Sequence, residues 1–273
     1  MVKIIRLRSL AAVVGLLAAV GLLVLMMLMV EARTAQATFP GKNGKIAYVT
    51  LTATSGGEIY TINPDGTGKF RVTNTKNTSE ESPNYSPNGK KIAYSGCPNG
   101  SDCEIYIVPA RGGKPIQVTN NQTNDFWPSF SPDGKRIAYV SDDGNDSEIY
   151  TIKATGGKPF QVTKKDTNEY EPSFSPDGEK IAYTGEDPDS YEIYTIKATG
   201  GKPFKLTNGK KYDTDNEAPS YSPNGKKIAY TGNCFRTSDC EIYKINANGG
   251  KPVQVTTSKK NEAALYPSWG SRP

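Results

Sequence analysis

The stretch Pro128-Ser129-Phe130-Ser131-Pro132-Asp133-Gly134-Lys135-Arg136-Ile137-Ala138-Tyr139 decides the fold of this chain. It starts extended, breaks at Pro132-Asp133-Gly134 and resumes as a second extended run. Proline presets one dihedral of that turn, and glycine is free to take a positive one. The pattern continues through Glu148-Ile149-Tyr150-Thr151-Ile152, turns again at Gly156-Gly157 and closes at Val162-Thr163. It recurs along the chain. Ile-Ala-Tyr begins at Ile46, Ile92, Ile137, Ile181 and Ile228, and Glu-Ile-Tyr at Glu58, Glu104, Glu148, Glu192 and Glu241, so the spacings are 44 to 49 residues. A fixed period of about 40–50 residues with strand-like content signals a propeller or a solenoid.

Each repeat reads as four short strands: A over 128–131, B over 136–140, C over 148–152 and D over 158–163. Alternation puts Ile137 and Tyr139 on one face of strand B and Ala138 on the other. No helical period of useful length occurs between residues 40 and 273. Evenly spaced strands between Gly/Pro turns predict an all-β fold, and four strands per repeat make one propeller blade.

The run aromatic-Ser-Pro-Asp/Asn-Gly-x-Lys/Arg-Ile-Ala-Tyr stands at Tyr85–Tyr94, Phe130–Tyr139, Phe174–Tyr183 and Tyr221–Tyr230. On these residues Phe39–Gly270 resembles the TolB-type beta-propeller repeats, a WD-repeat-like family. The resemblance implies a fold rather than an activity, because propellers host many unrelated functions. Strands B, C and D occur five times. Strand A occurs four times with a following turn, and once more at Tyr266-Pro267-Ser268-Trp269. Letting Tyr266–Trp269 supply strand A to the first blade leaves no open sheet edge. The expectation is a single propeller of five four-stranded blades over residues 38–273. Six blades, common in this family, are the alternative and would need about 40 more residues.

Residues 1–37 read as a leader. Lys3, Arg6 and Arg8 precede an apolar run from Leu10 to Val30, and Ala35-Gln36-Ala37 supplies small residues for a signal peptidase. Cleavage after Ala37 is the favoured reading. An uncleaved membrane anchor is the rival, since the apolar run is long enough to span a bilayer. Either way the domain is expected outside the cytoplasm: secreted, periplasmic or membrane-anchored. The leader carries +3 of the net charge of +5, leaving +2 and no global argument for nucleic acid.

The four cysteines agree with export. Cys97 and Cys103 flank the B–C loop of the second repeat, and Cys234 and Cys240 flank that of the fifth at the same interval. A hairpin brings its shoulders within disulfide reach, and two local disulfides fit an oxidising compartment. A four-cysteine metal site would need ligands from loops three repeats apart and lacks Cys-x-x-Cys pairs. Disulfides and no metal are expected.

In a blade the A–B and C–D turns lie on one face of the disc, and the B–C and D–A loops on the other. The first set is nearly constant across the repeats and rich in lysine, including Lys90, Lys135, Lys158 and Lys202. The second set varies and collects acids such as Asp142, Asp143, Asp146, Glu186 and Asp187. Variable loops on a rigid scaffold are where binding is usually placed. An acid recurs near the start of strand A: Glu80 or Glu81, Asp125, Glu169, Glu217 and Glu262. Such a ring would suit a hard cation such as calcium, or would accept backbone N–H groups and pin one blade to the next. Ahead of the strand A proline stand Ser82, Trp127, Glu171, Ala218 and Tyr266, with Trp127 the outlier. Asp125, Phe126, Trp127, Tyr170 and Tyr212 are the candidate binding rim at the channel mouth, because aromatic residues anchor interfaces and stack on sugars. Packing between blades is the competing account of the same rings.

No catalytic residues are assigned. The chain has no histidine, so neither a histidine-assisted nucleophile nor a histidine metal site can form. No Gly-x-Ser-x-Gly elbow or phosphate loop appears. The expected function is an exported, non-catalytic, monomeric scaffold that needs no cofactor. It would bind another envelope or extracellular protein, or a cell-wall polymer, without nucleic acid. Membrane contact is expected only through the leader or the basic face. A carbohydrate-active propeller, lectin or glycosidase, is the alternative.

Overall fold

Ile-Ala-Tyr and Glu-Ile-Tyr pair with each other in every repeat, and this antiparallel pairing is the centre of each blade. In the third repeat Tyr139 faces Tyr150 and Ile137 faces Ile152. The two tyrosines of each repeat lie ring against ring in all five copies, with centroids 5.6 to 6.0 Å apart. Offset contacts of this kind add to what burial of the rings supplies. Gly96, Gly185 and Gly232 belong to the same unit, since a Cβ there would stand 2.8 to 2.9 Å from the second tyrosine ring.

The computed structural model describes residues 44–52, 56–164, 167–209, 215–232, 240–257, 264 and 267. Blade one contains β1 (Ile46–Thr52), β2 (Gly56–Ile62) and β3 (Phe70–Arg71). Blade two contains β4 (Thr78–Tyr85), β5 (Lys91–Pro98), β6 (Glu104–Pro109) and β7 (Ile116–Gln117). Blade three contains β8 (Asn124–Phe130), β9 (Arg136–Asp142), β10 (Ser147–Lys153) and β11 (Phe160–Gln161). Blade four contains β12 (Glu169–Phe174), β13 (Lys180–Asp187), β14 (Ser190–Lys197) and β15 (Phe204–Lys205), and blade five β16 (Asn216–Tyr221), β17 (Lys227–Gly232), β18 (Glu241–Asn246) and β19 (Val253–Gln254). Each sheet runs in chain order, strand next to strand. The fold is an all-β propeller of five blades. Its inner strands β4, β8, β12 and β16 pack one on the next.

The predicted closing strand, Tyr266–Trp269, lies largely outside the described residues. Shortly before it in the chain, the Ala264 N–H donates to the Cys240 carbonyl at 2.8 Å. The corresponding bond in the second repeat joins the Asp125 N–H to the Cys103 carbonyl at 2.7 Å.

Strand B shows why the repeat is apolar on both faces. Ile137 and Tyr139 pack towards blade two, with Ala93 and Ile105. Ala138 and Val140 pack towards blade four, with Phe174, Ile181 and Tyr183. Alternation holds as expected, and a blade sandwiched between neighbours buries both of its faces.

The Ser-Pro-Asp/Asn-Gly motif is a stapled turn. Ser131 Oγ accepts from the Arg136 N–H at 2.9 Å and donates to Asp133. Asp133 also accepts from the Lys135 N–H at 3.0 Å, and Gly134 takes φ of 67° to close the loop.

A second constant device joins strand C to the end of strand D. The N–H of the isoleucine in Glu-Ile-Tyr donates to a threonine hydroxyl in every blade: Ile59 to Thr73, Ile105 to Thr119, Ile149 to Thr163, Ile193 to Thr207 and Ile242 to Thr256, at 2.8 to 2.9 Å. In blades three, four and five those hydroxyls in turn donate to the glutamate of the same Glu-Ile-Tyr: Thr163 to Glu148, Thr207 to Glu192 and Thr256 to Glu241. The threonine is thus needed as acceptor and donor at once.

Two expectations are corrected. Strand A begins about four residues earlier than Pro128, so Asp125, Phe126 and Trp127 are part of β8 and not of the loop before it. Strand D is only two residues long, since Phe160 and Gln161 alone pair with β10.

Cys97 and Cys103 form the expected disulfide. Cys240 is also disulfide-bonded, and its expected partner Cys234 lies outside the described residues. Loops this short release little chain entropy, so each bond should contribute about 2 kcal/mol. Intact-mass analysis of the oxidised protein should show no alkylatable thiol before reduction. A cross-link between the two pairs would contradict the local pairing.

Candidate functional site

The inner strand of each of blades two to five is broken at one place. Register shifts fall between Glu81 and Asn84, Phe126 and Ser129, Tyr170 and Ser173, and Glu217 and Ser220. The residue before the proline takes a left-handed conformation each time: Ser82 at φ 52°, Trp127 at 49°, Glu171 at 54° and Ala218 at 53°. This region costs about 1–2 kcal/mol for a residue with a Cβ. A bulge that places such residues in one strand after another re-aims their side chains.

The consequence is visible at β8. Neighbouring residues of a regular strand point to opposite faces. Across the bulge Phe126 and Trp127 instead touch, with ring centroids 5.5 Å apart. Trp127 meets Tyr170 of the next blade edge-on at 5.7 Å, and Tyr170 meets Tyr191 at 6.1 Å. Four rings therefore form a continuous aromatic row over blades three and four. Phe126, Trp127 and Tyr170 are the expected rim residues brought together. Tyr212 lies outside the described residues. The fourth ring, Tyr191, is not among the expected rim residues: it lies in β14, paired with Glu186, at the position before Glu-Ile-Tyr where the other repeats carry Gly57, Cys103, Ser147 and Cys240.

The row lies at the face carrying the B–C loops. Phe126, Trp127 and Tyr170 share a depression of about 320 Å³ with Asp142, Asn145 and Asn168. Trp127 and Tyr170 also wall a second one of about 190 Å³, with Tyr191, Glu171, Glu217 and Thr184. The two rings thus partition an aromatic cleft whose other groups are acids and amides. Burial pushes the Tyr170 hydroxyl up to about 12, with Tyr191 adding to it.

The recurrent acids separate into two sets. Glu80, Asp125 and Glu169 occupy one register position and are fully buried, and Asn216 takes the same place in blade five. They reach back to the preceding blade: Glu80 accepts from Thr75 at 2.6 Å and Asn216 donates to Glu192 at 3.1 Å. Asp125 accepts from Ser141 at 2.7 Å and from Asn121 at 2.9 Å. Glu81 and Glu217 occupy the next register position. Glu262 lies outside the described residues. The structure does not gather Glu81, Asp125, Glu169 and Glu217 on one surface. Among the described residues no three acidic or thiol groups converge as metal ligands.

The buried acids give the fold a pH dependence. Burial pushes the carboxyls of Glu80, Glu104, Asp125 and Glu171 above their ordinary values, against hydrogen bonds that pull the other way. Burial is the first cause at both Glu104 and Asp125, and the charge of Asp125 adds to it at Glu104. The folded protein then binds more protons than the unfolded chain above the ordinary values of 3.8 and 4.5. Stability is full below that window and falls as pH rises through it. Asp65 and Asp143, held down by hydrogen bonds from Thr67 and Asn145, impose the opposite slope only below 3.8. Urea midpoints should therefore be higher near about pH 5 than near about pH 8. Glu104→Gln should flatten the difference, and a midpoint that rises with pH would contradict the assignment.

The chain matches the model of the TolB beta propeller domain over residues 34–184 and 160–272. No curated protein shows significant sequence similarity to it. Among solved structures it is similar to a putative TolB from Agrobacterium tumefaciens, with a TM-score of 0.69 and 20% identity over 82% of this chain and 84% of that one. TolB from Acinetobacter baumannii matches with a TM-score of 0.67 and 24% identity, over 82% of this chain and 54% of its own length. An oligogalacturonate lyase from Vibrio parahaemolyticus shares the fold at 12% identity, with a TM-score of 0.60 over 83% of this chain and 65% of that one. These identities carry the fold and not the activity. With a family model covering nearly the whole propeller, the chain belongs to the TolB beta propeller domain family.

Proposed function

We propose that this protein is an exported, non-catalytic propeller that docks a protein partner on the face carrying its B–C loops. The observation that carries this reading is the aromatic row Phe126–Trp127–Tyr170–Tyr191. These rings are half-buried, whereas the Ile-Ala-Tyr tyrosines of blades two to five, Tyr94, Tyr139, Tyr183 and Tyr230, are fully packed. Partly exposed aromatic clusters beside hydrogen-bonding groups are what protein interfaces use as anchors. Export is supported by the leader and by the cysteine pattern. The absence of histidine removes the commonest general base, so a binding role needs fewer assumptions than a hydrolytic one.

The test is capture by the immobilised full chain from envelope extract, set beside a glycan array. A protein retained by the parent and lost from aromatic-row variants supports docking. Binding of a glycan alone, lost from the same variants, would assign the row to an envelope polymer instead.

A further inference from the structure

We propose that the smaller depression beside the aromatic row recognises a basic side chain, a lysine ammonium or arginine guanidinium, presented by the docked partner. This deepens the docking reading and rests on it. The pocket of about 190 Å³ is walled by Trp127, Tyr170 and Tyr191 and carries the carboxylates of Glu171 and Glu217, with Thr184 between them. It is large enough for one side-chain head and its stem, and too small for a folded element.

Three observations select a cation. First, the rings stand at steep angles, 84° between Trp127 and Tyr170 and 67° between Tyr170 and Tyr191. Rings so arranged are walls around a space and not a single flat platform. Their faces carry negative potential that attracts an organic cation, with tryptophan the best of the three types.

Second, the two carboxylates are short of partners. Glu171 uses Oε2 to accept from Thr184 at 2.9 Å and from the Ala218 N–H at 2.8 Å, which leaves Oε1 for a ligand. Glu217 accepts no hydrogen bond among the described residues, and burial together with repulsion from Glu171 and Asp215 disfavours its charge. Neither pairs with a lysine or arginine there, although Glu58, Asp187 and Glu192 do. A cation entering the pocket would offset that repulsion in a partly dehydrated space, where the attraction is stronger than in water.

Third, the backbone frame is constant while the side chains differ. Ser82, Trp127, Glu171 and Ala218 share the same left-handed bulge. Among the described residues only blades three and four place a large ring or a carboxylate on it, Trp127 and Glu171, so the pocket is a local elaboration of the repeat. A metal ion fits this lining poorly, since calcium takes 6–8 oxygen ligands and three of the six lining side chains are aromatic rings.

The test is a ligand-observed NMR titration of the full chain with N-acetyl-lysine amide, N-acetyl-arginine amide and the neutral isostere N-acetyl-norleucine amide. The cationic probes should bind with Kd on the order of 1 mM, and the isostere about 10-fold more weakly. Binding should weaken as salt is raised. Glu217→Gln should cost about 10-fold, and it should fold normally because it removes an unpaired, partly buried charge. Trp127→Leu should cost about as much and reports on the wall independently of the charge.

Equal binding of the norleucine probe, or indifference to both substitutions, would overturn the proposal. If aromatic-row variants lose partner capture while no cationic probe binds, the pocket chemistry is wrong and docking stands. If the probes bind as described but capture ignores the aromatic row, docking on this face is wrong and the pocket stands as a small-cation site.

Discussion

Replacing Thr163 with valine should lower stability by about 2–5 kcal/mol without changing side-chain volume. Thr163 is 1% exposed. Its hydroxyl accepts the Ile149 N–H at 2.8 Å and donates to Glu148. Valine would leave a buried backbone donor unpaired and remove one donor from a buried carboxylate. Each such loss costs about 1–3 kcal/mol, and more where a charge is involved. No cavity term enters, because the two side chains are nearly isosteric. Thr163→Ser keeps the hydroxyl and gives up one buried methyl group, so it should cost about 1 kcal/mol. Urea unfolding of the three proteins decides the matter. A valine variant no worse than the serine variant would show that packing, and not the paired hydrogen bonds, makes the threonine necessary. Thr207 and Thr256 should behave alike, since the same pair of bonds recurs there.

Alanine at Phe126, Trp127 and Tyr170 together should weaken partner capture at least about 100-fold. Truncating a central aromatic anchor costs about 2 kcal/mol or more, and three contiguous anchors act as one unit and not as a sum. The fold should survive, because all three rings are half-buried, and Phe126 and Trp127 pack against the core of blades three and four without belonging to it. Charge reversal of Lys90, Lys135 and Lys158, on the turns of the opposite face, should leave capture within about 3-fold and alter mainly its salt dependence. Surface plasmon resonance against the captured partner, with far-ultraviolet circular dichroism as the folding control, measures both. A larger loss from the lysine variants than from the aromatic ones would move the docking site to the turn face.

The pairing of Ile-Ala-Tyr with Glu-Ile-Tyr could be read without coordinates, because strand alternation and turn residues act over a few positions and are repeated five times. Repetition also made Trp127 conspicuous, since its neighbours in the pattern are Ser82, Glu171 and Ala218. The cysteine loop of the second repeat followed from the geometry of a hairpin. Other features needed the tertiary structure. The acids near strand A look like one series in the sequence, but a one-residue difference in register sends Asp125 and Glu169 into a blade junction and sets Glu217 beside Glu171. The bulge that turns Phe126 and Trp127 to the same side is a non-glycine, left-handed conformation ahead of proline, a combination that local preferences oppose. It is held by the packing of neighbouring blades, which local sequence does not encode. The contact of Tyr191 with Tyr170 likewise joins β14 to an inner-strand residue 21 positions away. What repeats locally is written in the chain. What arises where two blades meet depends on register and on strain that only the closed ring of blades can impose.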